Sequence, residues 1–131
     1  FGGNVENMKE GCLGWNKILF KKDHGIFEGL NDPYFFHINE EELTTKPDSA
    51  VCLATSHKCR YQILKYGKNI ITCQSHPEML KSDAIKIIKD RKDELNEVYN
   101  DLDSMIEKSK KHSDDYSSKK FISNIVKWLL D

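Results

Sequence analysis

Arginine is nearly missing from this 131-residue chain: of its 20 basic residues only Arg60 and Arg91 are not lysine. A surplus of either charge is missing too, because 21 acidic residues leave a formal net charge of −1. Nucleic-acid and anionic-membrane binders concentrate positive charge on one face, and this balance argues against both. No stretch approaches the ~18 consecutive apolar residues of a bilayer-spanning helix. The chain opens Phe1-Gly2-Gly3, with no basic region leading into an apolar one, so no export signal is expected. A cytoplasmic location follows as the expectation, and with it reduced thiols rather than disulfides for Cys12, Cys52, Cys59 and Cys73. Helix breakers are absent from the last part: all 7 glycines and 3 prolines lie at or before Pro77.

That asymmetry divides one domain-sized chain into a strand-rich segment, residues 1–78, and a helical tail, residues 79–131. In the first segment Gly14–Phe20 reads as a strand, Gly25–Leu30 as a single helical turn, and Asn31-Asp32-Pro33 as a turn. Tyr34–His37 reads as an aromatic strand ended by the acidic run Glu40-Glu41-Glu42, which itself is expected as a solvated loop. Ala50–Ala54, Arg60–Tyr66 and Asn69–Gln74 read as three further strands, the last two joined at Gly67-Lys68. Beyond Met79 the period changes. Ile85, Ile88, Leu95, Val98, Leu102 and Met105 share one helical stripe, which predicts one long or two consecutive helices starting near Ser82-Asp83. His112–Lys120 reads as a polar connector. A last helix, Phe121–Leu130, is expected to bury Phe121, Ile125, Trp128 and Leu129.

The chemistry concentrates in His76-Pro77-Glu78, directly after an apolar strand. Proline fixes its own backbone and keeps the preceding residue extended, so His76 should project from a rigid strand end. Glu78 can fold back onto the imidazole and select its tautomer, giving a base and its orienting acid. His24 and His112 lie in polar surroundings and His57 in a loop, all expected at the surface. A rival grouping, Cys59, Cys73 and His76, could hold zinc, although the Cys52/Cys59 spacing is too wide for a usual structural site.

Residues 69–78, Asn-Ile-Ile-Thr-Cys-Gln-Ser-His-Pro-Glu, resemble the last motif of the class I glutamine amidotransferases. Other blocks agree in order. Phe1–Val5 is similar to the segment after the family's nucleophile helix, and Gly11–Ile18 to the strand that follows. Ile26–Leu30 with Tyr34–His37 resembles its phenylalanine-x-glycine-leucine and phenylalanine-x-histidine block. Leu53–Cys59 is similar to a strand of the γ-glutamyl peptidase subgroup.

The resemblance implies an α/β fold: the C-terminal portion of a flavodoxin-like three-layer domain, a mixed sheet followed by helices. It implies hydrolysis of the γ-glutamyl amide of glutamine, or of a γ-glutamyl compound, by a Cys-His-Glu triad without a cofactor or metal. His76 would be the base and Glu78 its orienter, with Ile38 and Asn39 near the substrate's amino-acid end. The nucleophilic cysteine would sit on a strand-to-helix elbow about ten residues ahead of Phe1. Cys12 is a poor substitute, because Glu10 replaces the elbow's first glycine and a strand-like run follows. A missing N-terminal half or a partner domain is therefore expected. Two alternatives stay open: a small zinc-binding domain, and a non-catalytic interaction or regulatory subunit.

Overall fold

Strand β1 (Asn4–Lys17) and strand β3 (Tyr34–Thr45) form a long antiparallel ribbon, in a computed structural model that describes residues 2–131. Phe1, the first residue of the family-like opening, lies outside the described residues. Both strands outrun their predicted lengths. The acidic run does not end β3: Glu6 pairs with Glu42 and Asn7 with Glu41 in the outer half of the ribbon, where side chains stay in water. An isolated ribbon has no second layer to desolvate those carboxylates, so they carry no burial cost there.

The ribbon's middle is irregular. Between the pairs Asn7↔Glu41 and Cys12↔Asn39 the register shifts, with more residues on β1 than on β3. Gly11 lies in this bulge, and a Cβ there would meet Tyr99 Cε1 at 2.7 Å. Tyr99 holds the same place from its other end, its hydroxyl 3.4 Å from the carbonyls of Cys12 and Asn39.

A second sheet has the order β2 (Leu19–Phe20), β4 (Ala50–Thr55), β5 (Ile63–Tyr66), β6 (Ile70–Cys73). The single mixed sheet expected from the sequence is thus two sheets, and every pairing among the described residues is antiparallel. The connections are too short for parallel neighbours, which need a crossover of about a dozen residues or more. The turn at Gly67 is as expected, with glycine at φ +53°. A helical turn at Gly25–Phe27 also matches.

Alternation along β3 divides the core. Phe36 packs with Leu13 and Trp15 against the tail residues Ala84, Ile88, Leu95, Tyr99 and Leu102. Phe35 points the other way, to Ile18, Phe27, Leu53, Ile63 and Phe121. Each buried ring is worth about 1.5–3 kcal/mol of transfer free energy. One strand thus glues two layers.

The tail holds four helices: α1 (Lys81–Asp90), α2 (Lys92–Val98), α3 (Leu102–Lys110) and α4 (Asp115–Leu130). The single stripe is broken at Arg91 and again at Tyr99–Asp101, where Asp101 takes φ +55°. Because α2 ends there, Tyr99 enters the core and Val98, expected inside, is exposed. No side chain of its own caps α1; Asp115 Oδ1 accepts the Lys81 N–H at 2.8 Å instead. The predicted connector is mostly helix, because Asp114 caps α4 by accepting the Ser117 N–H at 3.0 Å. On α4 Phe121 is buried as expected, Ile125 and Trp128 are half-buried, and Leu129 is exposed. Asn124 is buried instead and donates to the Ile26 and Glu28 carbonyls at 3.0 and 2.9 Å.

Candidate active site

β6 ends at Cys73, and the chain continues extended through Gln74 and buried Ser75 to His76. Two backbone bonds hold this segment. Gln74 N–H donates to Gln62 O at 2.9 Å, and His76 N–H donates to Phe36 O on β3 at 2.7 Å. Pro77 is buried, and the Met79 N–H closes a turn onto His76 O at 3.1 Å. The turn brings Glu78 back over the ring: His76 Nδ1 lies 2.8 Å from Glu78 Oε1. A carboxylate is an acceptor only, so Nδ1 carries the proton and Nε2 is left as the basic nitrogen. The two side chains are 39% and 59% exposed. They border a hollow of about 470 Å³ that Cys73, Ser75, Ile122 and Trp128 also line.

Ile38 and Asn39 lie two and three residues along β3 from Phe36. Ile38 packs beside the core formed with Trp15 and Phe36. Asn39 donates through Nδ2 to Glu41 O at 2.9 Å and to Met8 Sδ at 3.3 Å. Its Oδ1 is buried and has no donor facing it. The structure pairs His76 with Glu78 directly, and reaches Ile38 and Asn39 through β3.

All four cysteines are free thiols, Cys12 and Cys59 buried. Cys12 sits in the middle of β1 with Asn16 Nδ2 donating to its sulfur at 3.3 Å. Burial, with a smaller contribution from Cys59, pushes its thiol up to about 12. Cys73 shares the hollow with His76, yet burial and then the Glu78 charge push it up to about 12 as well. Cys52 and Cys59 are raised by burial. The thiolate is the nucleophile, and none of these sites favours it.

The zinc alternative does not hold. Cys59 faces Asn39 at 3.7 Å while Cys73 lies in β6, and no metal-holding group of three or more His, Cys, Asp or Glu occurs among the described residues. His24, expected at the surface, is half-buried, accepting the Ile26 N–H at 3.3 Å and meeting Trp128 edge-on. His112 is exposed and stacks on Tyr34. Among the described residues no helix is long and apolar enough to cross a membrane.

One polar cluster has no sequence signal. His37 and Gln62 are fully buried, and Gln62 Nε2 lies 2.8 Å from His37 Nε2 and 3.0 Å from Ser56 Oγ. Gln62 falls in a predicted strand, and nothing in its neighbours marks it as buried.

Comparison with known proteins gives this geometry a frame. Residues 1–115 match the family model for glutamine amidotransferase class-I. The chain is 30% identical over 81 residues to the glutamine-hydrolyzing subunit of GMP synthase from Methanosphaera stadtmanae, covering 60% of this chain and 44% of that protein. It is 26% identical over 93 residues to imidazole glycerol phosphate synthase subunit HisH of Natronomonas pharaonis, covering 67% and 43%. Among solved structures, a glutamine amidotransferase from Thermotoga maritima superposes with a TM-score of 0.78 at 23% identity, over 99% of this chain and 56% of that one. A glutamine amidotransferase from Methylobacillus flagellatus gives 0.68 at 18%, over 98% and 57%. The chain spans less than half the length of these two curated relatives, and a little over half of these two solved chains. With its strands, helices and His76–Glu78 turn in the order the family requires, the chain belongs to the class I glutamine amidotransferases.

Proposed function

We propose that this chain supplies the histidine–glutamate half of a glutamine-hydrolysing site, and that its thiol comes from polypeptide outside these 131 residues. The observation that carries the reading is the 2.8 Å contact between His76 Nδ1 and Glu78 Oε1, at a strand end bordering a hollow. His76 Nε2 takes the proton of the incoming thiol, and the thiolate adds to the side-chain carbonyl of glutamine. The imidazolium is steadied by Glu78 and returns that proton to the leaving nitrogen, which departs as ammonia. Water, deprotonated by the same nitrogen, then cleaves the γ-glutamyl thioester to glutamate and free thiol.

The names of the two curated relatives point to glutamine rather than a γ-glutamyl peptide, and to a synthase partner that uses the ammonia. Ile38 and Asn39 take the amino-acid end of the substrate; the donor-free Asn39 Oδ1 is what supports this. Four free thiols agree with work in the cytoplasm.

The test is ammonia release from glutamine by the full-length protein. His76→Ala should lower kcat by about 10²–10⁴-fold. A rate unchanged in a folded His76→Ala variant overturns the assignment. The 131-residue chain alone should release no ammonia above background, and turnover by it would place the nucleophile among its own cysteines.

A further inference from the structure

We propose that Gln62 is a positioning residue for His76; the inference rests on the hydrolytic reading above. His76 is anchored in two sheets at once, by its own N–H on Phe36 O of β3 and by Gln74 N–H on Gln62 O. Among the described residues these sheets share no strand pairing except the single Phe36–His76 bridge. Apolar packing fills the rest of the gap, and it is non-directional, so it sets distance better than register.

Gln62 crosses the gap with directional bonds. Its backbone N–H donates to Ala54 O of β4 at 3.0 Å. Its side-chain Nε2 donates to Ser56 Oγ at 3.0 Å and reaches His37 Nε2 at 2.8 Å. His37 is the neighbour of Phe36, the residue that holds His76. One glutamine therefore ties β4, the strand leading to His76, and the stretch of β3 against which His76 is hung.

The polarity of the link is determined by its surroundings. His37 Nδ1 lies 2.9 Å from Phe35 O, an acceptor, so Nδ1 bears the ring proton. Nε2 of the neutral ring is then an acceptor and needs a donor, which Gln62 Nε2 provides. Burial holds His37 below its ordinary proton affinity and keeps it neutral. Ser56 Oγ is itself immobilised, accepting the Cys59 and Lys58 N–H groups at 3.0 and 3.2 Å. The amide is thus set between two acceptors that cannot follow it if it moves. A base displaced by ~1 Å from its nucleophile costs on the order of 10²-fold in rate, so this clamp bears on turnover and not only on folding.

The experiment measures glutamine hydrolysis by the full-length protein. Gln62→Met keeps the volume and removes both side-chain bonds. It should lower kcat by about 10- to 100-fold with KM within about threefold, in a protein that still unfolds cooperatively. His37→Leu breaks the same bond from the other end, and the double variant should lose no more than the worse single one. His37→Gln, which keeps an acceptor facing Gln62, should recover most of the rate. Wild-type kcat in folded Gln62→Met, or additive losses in the double variant, overturns the proposal. If Gln62→Met does not fold, the His37→Leu and His37→Gln pair makes the same comparison, and equal rates in the two overturn it. His76→Ala separates the levels. Full activity there removes the hydrolytic reading and this role with it; loss there beside full activity in folded Gln62→Met removes this role alone.

Discussion

Phe121 has no exposed surface, and its ring lies 4.9 Å from that of Phe35 and 6.1 Å from that of Phe27. Phe121→Ala would leave a cavity where α4 meets the second sheet and should cost about 3–5 kcal/mol, read as a lowered urea midpoint. The histidines give a pH signature. Burial depresses the proton affinity of His37, and burial followed by the Lys65 charge depresses that of His24. As pH falls below about 6.5 the unfolded chain takes up those protons before the folded one does, so stability is full above that value and declines below it. A urea midpoint lower at about pH 5.5 than at about pH 7.5 is expected, with a shallower slope in His37→Gln. At this scale the sequence is legible where covalent chemistry forces geometry: a proline between His76 and Glu78 leaves the pair few ways to lie. Gln62 and Asn124 are illegible for the opposite reason. An amide's burial depends on partners far along the chain, His37 at 25 residues and Ile26 at 98, which no local pattern records.

Elements are legible wherever turn residues or apolar runs bound them, as at β4, β6 and Gly67. They mislead where a polar residue serves the structure. Asp114 looks like connector and is the cap of α4; Asp114→Ala should lower stability by about 1 kcal/mol, measured by urea unfolding. The acids of β3 look like a terminator and are the wet side of a ribbon. The helical stripe looks continuous because Tyr99 is aromatic among polar neighbours, while the break it needs at Asp101 involves no glycine or proline. Gly11 shows the converse, a small residue demanded by a ring 88 positions away. Gly11→Ala should displace Tyr99 from the bulge and quicken amide exchange in α2 and α3 more than in β4 and β5.

Across the whole molecule, the two halves of the sequence do not make two domains: β3 belongs to both cores, and α4 lies on the second sheet while α1 to α3 cover the ribbon. Composition shows the partition into strands and helices, but only contacts show that the layers cross it. The second sheet ends at β6, whose outer edge is unpaired among the described strands and carries Ile70 at 51% exposure. Beside it Ile122 and Leu129 of α4 stand in solvent. Such a rim accepts any extended peptide that reaches it. Made by itself, the chain should stack rim against rim into fibrils that bind thioflavin, and a lysine at position 70 should delay them. Mixed during refolding with a separately made polypeptide carrying the remaining half of the fold, it should instead be captured, and glutaminase activity would appear from two inert fragments.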